Sequence, residues 1–325
     1  MTQIQKENIE KKGFELRNGI YVPTKERAKE YIQQFKIDET KIMKIGKYIE
    51  TDGEADYLKS VLSIPGKPVS LSGPPGLGKT TLVYNIAHEM GVPLIRYSPG
   101  TSQYQIVGQP PDIESNTFFD TPLTALVRSG ERGLVLFDDA VKLDQRVFGV
   151  IANLMDRIQE VQTKANEVLS TENINVIFTY NSPTEFGKNV PGQDLPEFIR
   201  SRLAVIRFEI PDGQKMLRII QQKYESIKSG MAKKILDAIK KYGKGITDLY
   251  NELNGANFLM QYEALLTVRC TIRLVERALE SIAAGVSPLE AIRNEIANPM
   301  FDMDTQTAKD AINSVLTSAK GKGIK

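Results

Sequence analysis

Gly73-Pro74-Pro75-Gly76-Leu77-Gly78-Lys79-Thr80-Thr81 is the stretch that decides the fold. It is entered from the apolar run Pro68-Val69-Ser70-Leu71-Ser72 and left through a helical pattern from Lys79 to Met90. The first eight residues fit G-x-x-x-x-G-K-[ST] without a mismatch, and the strand-then-helix context is the one that pattern requires. Glycines let the backbone curl so that successive N–H groups converge on a phosphate, and the following helix turns its positive end on the same anion. Lys79 is placed to neutralise β/γ oxygens, and the Thr80 hydroxyl to ligate Mg2+. Residues 73 to 81 are therefore the candidate nucleotide-binding residues.

Working outward, Gly133-Leu134-Val135-Leu136-Phe137 reads as a strand buried on both faces. It ends in Asp138-Asp139, at the strand end where open α/β sheets bind ligands. Asp138 is the expected metal residue, directly or through water, and Asp139 the candidate for polarising an attacking water. Further strands are expected at Pro93–Tyr97, Asn175–Tyr180 and Ala204–Phe208, with helices starting near Lys79, Thr121 and Leu143. This alternation predicts a parallel sheet. Asn181 follows the fourth strand, where an amide can orient the hydrolytic water. From Gln214 to about Ala319 the apolar spacing is helical, as in Leu274, Ala278 and Ile282, and predicts four or five helices. The expected divisions are a helical extension over 1–44, an α/β nucleotide-binding domain over 45–211, a helical lid over 212–319 and a frayed tail over 320–325.

The 325 residues, 41% hydrophobic and 25% charged with a net charge of +2, describe an ordinary globular composition. That balance gives no whole-chain case for nucleic acid. A single cysteine, Cys270, excludes an intramolecular disulfide, and the single histidine, His88, excludes a multi-histidine metal centre. No apolar run reaches the 18–20 or so residues of a membrane span, and the charged start lacks a signal-peptide core. A cytoplasmic protein is expected. His88 and Cys270 read as structural, and Lys233-Lys234 with Lys240-Lys241 as the solvated face of a lid helix.

These motifs together resemble the AAA+ ATPases. Tyr48-Ile49-Glu50-Thr51-Asp52-Gly53-Glu54, the phosphate loop, Ile106-Val107-Gly108, Pro122-Leu123-Thr124, Asp138-Asp139 and Thr179-Tyr180-Asn181-Ser182-Pro183 follow the order and spacing of the MoxR group. The lid stretches Cys270-Thr271-Ile272-Arg273, Ala283-Ala284-Gly285 and Pro288–Ala291 bring it nearest to the CbbQ/NirQ/NorQ branch. The resemblance spans roughly residues 45–318. It implies a five-stranded parallel sheet in the order 5-1-4-3-2 followed by a helical lid. It implies ATP and Mg2+ as cofactors, and a homo-oligomeric ring, a hexamer. It makes Asn181 the sensor-1 residue, and Arg202 the arginine finger that reaches the neighbour's γ-phosphate, with Arg200 as a second candidate. It makes Arg273 the sensor-2 arginine, with Arg269 as the fallback. Two insertions match as well: 112–119, where Phe118 and Phe119 are candidates for gripping a substrate chain in a central pore or for packing under their own hairpin, and 162–171.

The implied function is an ATP-driven chaperone or activase that remodels a partner protein, with a von Willebrand factor A-type protein among its partners. A nucleic-acid motor and a slow, nucleotide-driven assembly switch are the alternatives. The switch is raised by one departure. Asp139 stands where the family carries Glu, and one methylene withdraws the carboxylate by about 1 Å, an offset that can cost around 100-fold in rate. Leu203, where Phe is usual, is a milder change.

Overall fold

The computed structural model describes residues 10, 12–50, 52–156, 158–181, 195–301 and 305–325. A hairpin of β1 (Phe14–Arg17) and β2 (Ile20–Pro23) leads through α1 (Lys25–Ile32), α2 (Glu39–Ile45) and α3 (Glu54–Leu62) into β3 (Val69–Ser72). There follow α4 (Lys79–Met90), β4 (Leu94–Tyr97), α5 (Gln103–Val107), α6 (Pro122–Ser129), β5 (Gly133–Phe137) and α7 (Gln145–Leu154). A second hairpin, β6 (Glu160–Gln162) and β7 (Val168–Ser170), precedes β8 (Ile174–Tyr180), α8 (Glu197–Arg200) and β9 (Ala204–Arg207). The rest is helical: α9 (Gly213–Glu225), α10 (Gly230–Leu253), α11 (Ala256–Tyr262), α12 (Ile272–Ala283), α13 (Pro288–Ile292), α14 (Asn298–Met300) and α15 (Gln306–Gly321).

Five parallel strands pair in the order β4-β5-β8-β3-β9. Counting only these strands along the chain, that is the expected 5-1-4-3-2 order. Burial explains the arrangement. Every residue of β3, β5 and β8 is buried, whereas β4 and β9 at the edges expose Arg96, Val205 and Arg207. Side chains alternate across the sheet. Leu134 and Leu136 join one apolar layer with Leu71, Ile177 and the lid, and Val135 and Phe137 join the other with α6 and α7. Tyr97, Phe137 and Phe178 lie side by side in register and stack with centroids 5.5 Å apart. This aromatic row packs the strand ends beneath the acid pair.

The lid shares its apolar cluster with α3, α4 and one face of the sheet, through Met216, Ile235, Tyr250 and Val275. Among the described residues the lid is divided more finely than the expected four or five helices: Ser287 caps a fresh start at Pro288, and the run from Pro288 continues to Met300 through a π-helical turn at Arg293–Ala297. Cys270 is fully buried among them, and burial pushes its thiol far up, as suits a core residue. Among the described residues no helix is long and apolar enough to cross a membrane.

Three expectations change. Residues 1–44 are not a purely helical extension, because 14–23 form a β-hairpin. Asn18 and Gly19 both take positive φ (48° and 83°), the geometry a two-residue hairpin turn demands. Segment 112–119 is not a self-contained hairpin either. Its turn closes through Asp112 N–H to Thr117 O, and Thr117 then bridges to β2: Tyr21 N–H donates to Asn116 O at 2.9 Å and Phe118 N–H to Tyr21 O at 2.8 Å. Phe118 is consequently fully buried against Val22 and Ala165 and cannot grip a chain, while Phe119 stays 60% exposed and sets its edge on Phe14. Finally, residues 320–325 are no frayed tail. Ile324 is fully buried, and Gly245 on α10 leaves room for the returning backbone at Lys322.

Candidate active site

Parallel pairing aligns Ser72 with Tyr180 and Phe137 with Phe178. The phosphate loop, the acid pair and Asn181 therefore emerge together at the C-terminal ends of the inner strands. Gly73 takes φ +148° with Phe208 O where a Cβ would sit, and Gly76 takes φ +83° with Arg273 Cβ 3.0 Å from the same point. Neither position tolerates a side chain, so the loop lies flat between core and lid.

Lys79 is buried. Its ammonium donates to Gly73 O (2.5 Å), Pro74 O (2.7 Å) and Asn181 Oδ1 (3.0 Å). Three donors thus rest on the loop and on the Asn181 amide oxygen. Asp138 is the hub beside it. Its Oδ1 accepts from Thr80 Oγ1 at 2.9 Å and from Thr179 Oγ1, and its Oδ2 accepts a fork from Arg96, Nε at 2.9 Å and Nη2 at 2.6 Å. Burial alone would raise the Asp138 carboxyl. Hydrogen bonds from Thr179, Thr80 and Arg96 outweigh it and hold the group below its ordinary value. The hydroxyl of Thr80 beside a carboxylate oxygen is a pair of hard oxygen donors, which fits Mg2+. Among the described residues no cluster of three or more His, Cys, Asp or Glu side chains offers another metal site.

Asp139 takes a left-handed backbone (φ 53°), with its N–H on Thr179 Oγ1 (3.2 Å) and its carboxylate on Lys142 Nζ (2.8 Å). Pro75, Gly76, Gly78, Lys79, Thr80, Thr81, Asp138, Asp139, Lys142, Thr179, Asn181 and Arg273 wall a single cleft. Arg273 is thus brought in from the lid, on α12, and Arg269 is not among the lining residues. Arg200 and Arg202 are exposed and lie outside the cleft of their own chain. Arg202 donates to Phe198 O across its turn. Ser182 and Pro183, next to Asn181, and Thr51 fall outside the described residues.

A second, largely apolar slot adjoins this cleft through Gly76 and Gly78. Tyr48, Ile49, Leu77, Ile219 and Ile272 line it, with Lys223 and Glu276 at its rim. Asn85 on α4 holds the linker in place, accepting from Tyr48 N–H and donating to Gly46 O, each at 3.1 Å. A flat apolar slot beside an anion cradle suits a nucleobase joined to phosphates.

The sequence reading missed four contributions: Arg96, Lys142, the Thr179 hydroxyl and the slot behind Tyr48. Arg96 had a visible signal, as the single charge in the apolar strand Leu94-Ile95-Arg96-Tyr97.

A family profile described as "AAA domain (dynein-related subfamily)" matches residues 68–203. The denitrification regulatory protein NirQ of Stutzerimonas stutzeri is 25% identical over 247 residues, 74% of this chain and 81% of that protein.

Proposed function

We propose, from the premise that this chain is a MoxR-group AAA+ ATPase near the NirQ branch, that it forms an ATP-hydrolysing ring that remodels or activates another protein. One observation carries the reading. Lys79, Thr80, Asp138, Asn181 and the lid residue Arg273 line one cleft, while Arg200 and Arg202 are exposed and do not line it. A cleft with its lid arginine in cis and its other arginines outside matches a site completed by the next subunit.

ATP would seat its base in the slot behind Tyr48 and its phosphates on the loop. Lys79 would then exchange Gly73 O and Pro74 O for phosphate oxygens and release Asn181 to orient water. Thr80 and Asp138 would hold Mg2+, which supplies charge neutralisation on the phosphates when bound. Asp139 would take a proton from water as its oxygen attacks the γ-phosphorus and ADP leaves. Arg202 from the neighbour would stabilise the charge that builds on the transferred group, a contribution of roughly 10³–10⁵ in rate where such fingers act. Because Arg273 rides on α12, occupancy of the cleft would set the lid angle and so pull on a client. The relative's description as a regulatory protein agrees with a client that is another protein; a von Willebrand factor A-type partner remains an extension of the same reading.

The Asp139–Lys142 pair favours a second reading, a slow switch whose nucleotide drives assembly more than turnover. Mixing experiments separate the two. Lys79→Ala should abolish nucleotide binding, and Arg202→Ala should bind ATP yet turn it over slowly. Mixing them should restore turnover, since the first donates an intact finger to sites of the second. Unchanged turnover in Arg202→Ala alone would remove the ring mechanism. Tight ATP-dependent assembly with no turnover in the unmodified protein would select the switch.

A further inference from the structure

Asp138 has no vacant acceptor edge. Thr80 and Thr179 hydroxyls occupy Oδ1, and the guanidinium of Arg96 forks across Oδ2. A carboxylate offers about four lone-pair sites, and four donors fill them. The two hydroxyls are neutral, Thr80 on α4 and Thr179 on β8. The guanidinium is charged. It stands on edge strand β4, opposite Leu136 in register, and reaches along the strand direction to the acid. Its side chain is 47% exposed against 13% for Asp138. Such a group can leave its partner for water without a large desolvation penalty.

We propose that Arg96 is a counter-cation of Asp138, seated on the carboxylate that a divalent cation needs, so that metal loading is a cation exchange. This rests on the reading that Thr80 and Asp138 hold Mg2+. Two cations sharing one carboxylate repel each other. The arginine therefore raises the Mg2+ concentration at which nucleotide is retained, and ties retention to the arrival of metal together with nucleotide. Lysine at the same place would keep the charge but lose the planar fork.

The test is binding of a fluorescent ATP analogue to the full chain across a MgCl2 titration, with no turnover measured. Arg96→Gln should lower the Mg2+ midpoint by roughly three- to tenfold, as expected for removing one charge a few ångströms from a divalent ion. Arg96→Lys should fall between this variant and the unmodified protein, and it serves as the folded control should the glutamine variant misfold. A midpoint unmoved in both variants makes the pair a passive surface ion pair and overturns the inference. A raised midpoint overturns it too, because Arg96 would then be needed to aim Asp138. Failure of the unmodified protein to bind nucleotide at any Mg2+ concentration sinks the proposed function as well, whereas binding with an unmoved midpoint sinks the exchange alone.

Discussion

Two arginine–carboxylate clusters, Arg96 with Asp138 and Arg128 with Asp120 and Glu167, are built for opposite ends. In the first, Arg96 leans on Asp138 with nearly half its side chain in water. In the second, Arg128 on α6 forks onto both Asp120 and Glu167, and all three side chains are at least nine-tenths buried (4%, 6% and 8% exposed). The second cluster knits together helix α6, Asp120 just after insertion 112–119, and hairpin β6–β7, and Arg17 of the N-terminal hairpin reaches Glu167 at 3.5 Å. A closed cluster cannot exchange partners without stranding a charge in low dielectric; an open one can. Depth separates an ion pair that holds structure from one that can be traded for a ligand.

The sharpest way to break this contrast is to delete the arginine from the closed cluster. Arg128→Met should cost about 3–5 kcal/mol, because two buried carboxylates lose their shared cation. Equilibrium denaturation would show it as a lower midpoint. A loss under about 1 kcal/mol would mean that water enters the cluster and that depth is not the distinction. Next in size is a change at the open site's second acid. Asp139→Glu extends this acid by one methylene toward the cleft, and turnover should rise by up to about 100-fold. A steady-state ATPase assay decides it, and a fall in turnover would show that the αL backbone and Lys142 already place the shorter acid correctly. Smaller still is the stability cost of Arg96→Gln, about 1 kcal/mol, because the arginine is half exposed and the Thr80 and Thr179 hydroxyls stay on the buried carboxylate. A loss comparable to that of Arg128→Met would make Arg96 a structural tie and remove its freedom to exchange.

The open site was largely legible in the sequence because its parts are local. Gly73 to Thr81 is a contiguous run, and Asp138 and Asn181 each terminate a strand whose apolar pattern announces itself. Arg96 was missed because it meets Asp138 only through strand register, 42 residues away. The closed cluster was opaque for the same reason, with Glu167 39 residues from Arg128 across two elements. The N-terminal hairpin is a different kind of miss. Asn18-Gly19 between Phe14–Arg17 and Ile20–Pro23 is a strong local turn signal, outweighed in reading by the surrounding Lys and Glu. Burial of Phe118 followed from that hairpin, so the pore-gripping expectation fell with it. Ile324 shows a related limit, since one apolar residue in a run of Lys and Gly gives no pattern to read.

Titration gives the two clusters opposite signs. Burial pushes Asp120 above its ordinary 3.8, and hydrogen bonds and charge from Arg128 offset this only in part. Arg128 itself is held more firmly protonated, since its bonds to Glu167 and Asp120 outweigh its own burial. The two partners thus point different ways, chiefly because burial weighs more on the Asp120 carboxyl than its bonds from Arg128 relieve, with the Glu167 charge adding a smaller push. For Asp120 the folded state binds its proton first, so stability rises as pH falls from the raised value toward 3.8. Asp138 behaves in reverse. Its folded value lies below 3.8, so its contribution is present above 3.8 and is lost as pH falls through the folded value. Thermal unfolding against pH, referenced to Asp120→Asn and Asp138→Asn, isolates each group. The unmodified protein should gain on the first variant and lose on the second as acid is added. Curves that move the same way for both would mean that the closed cluster is as well compensated as the open one.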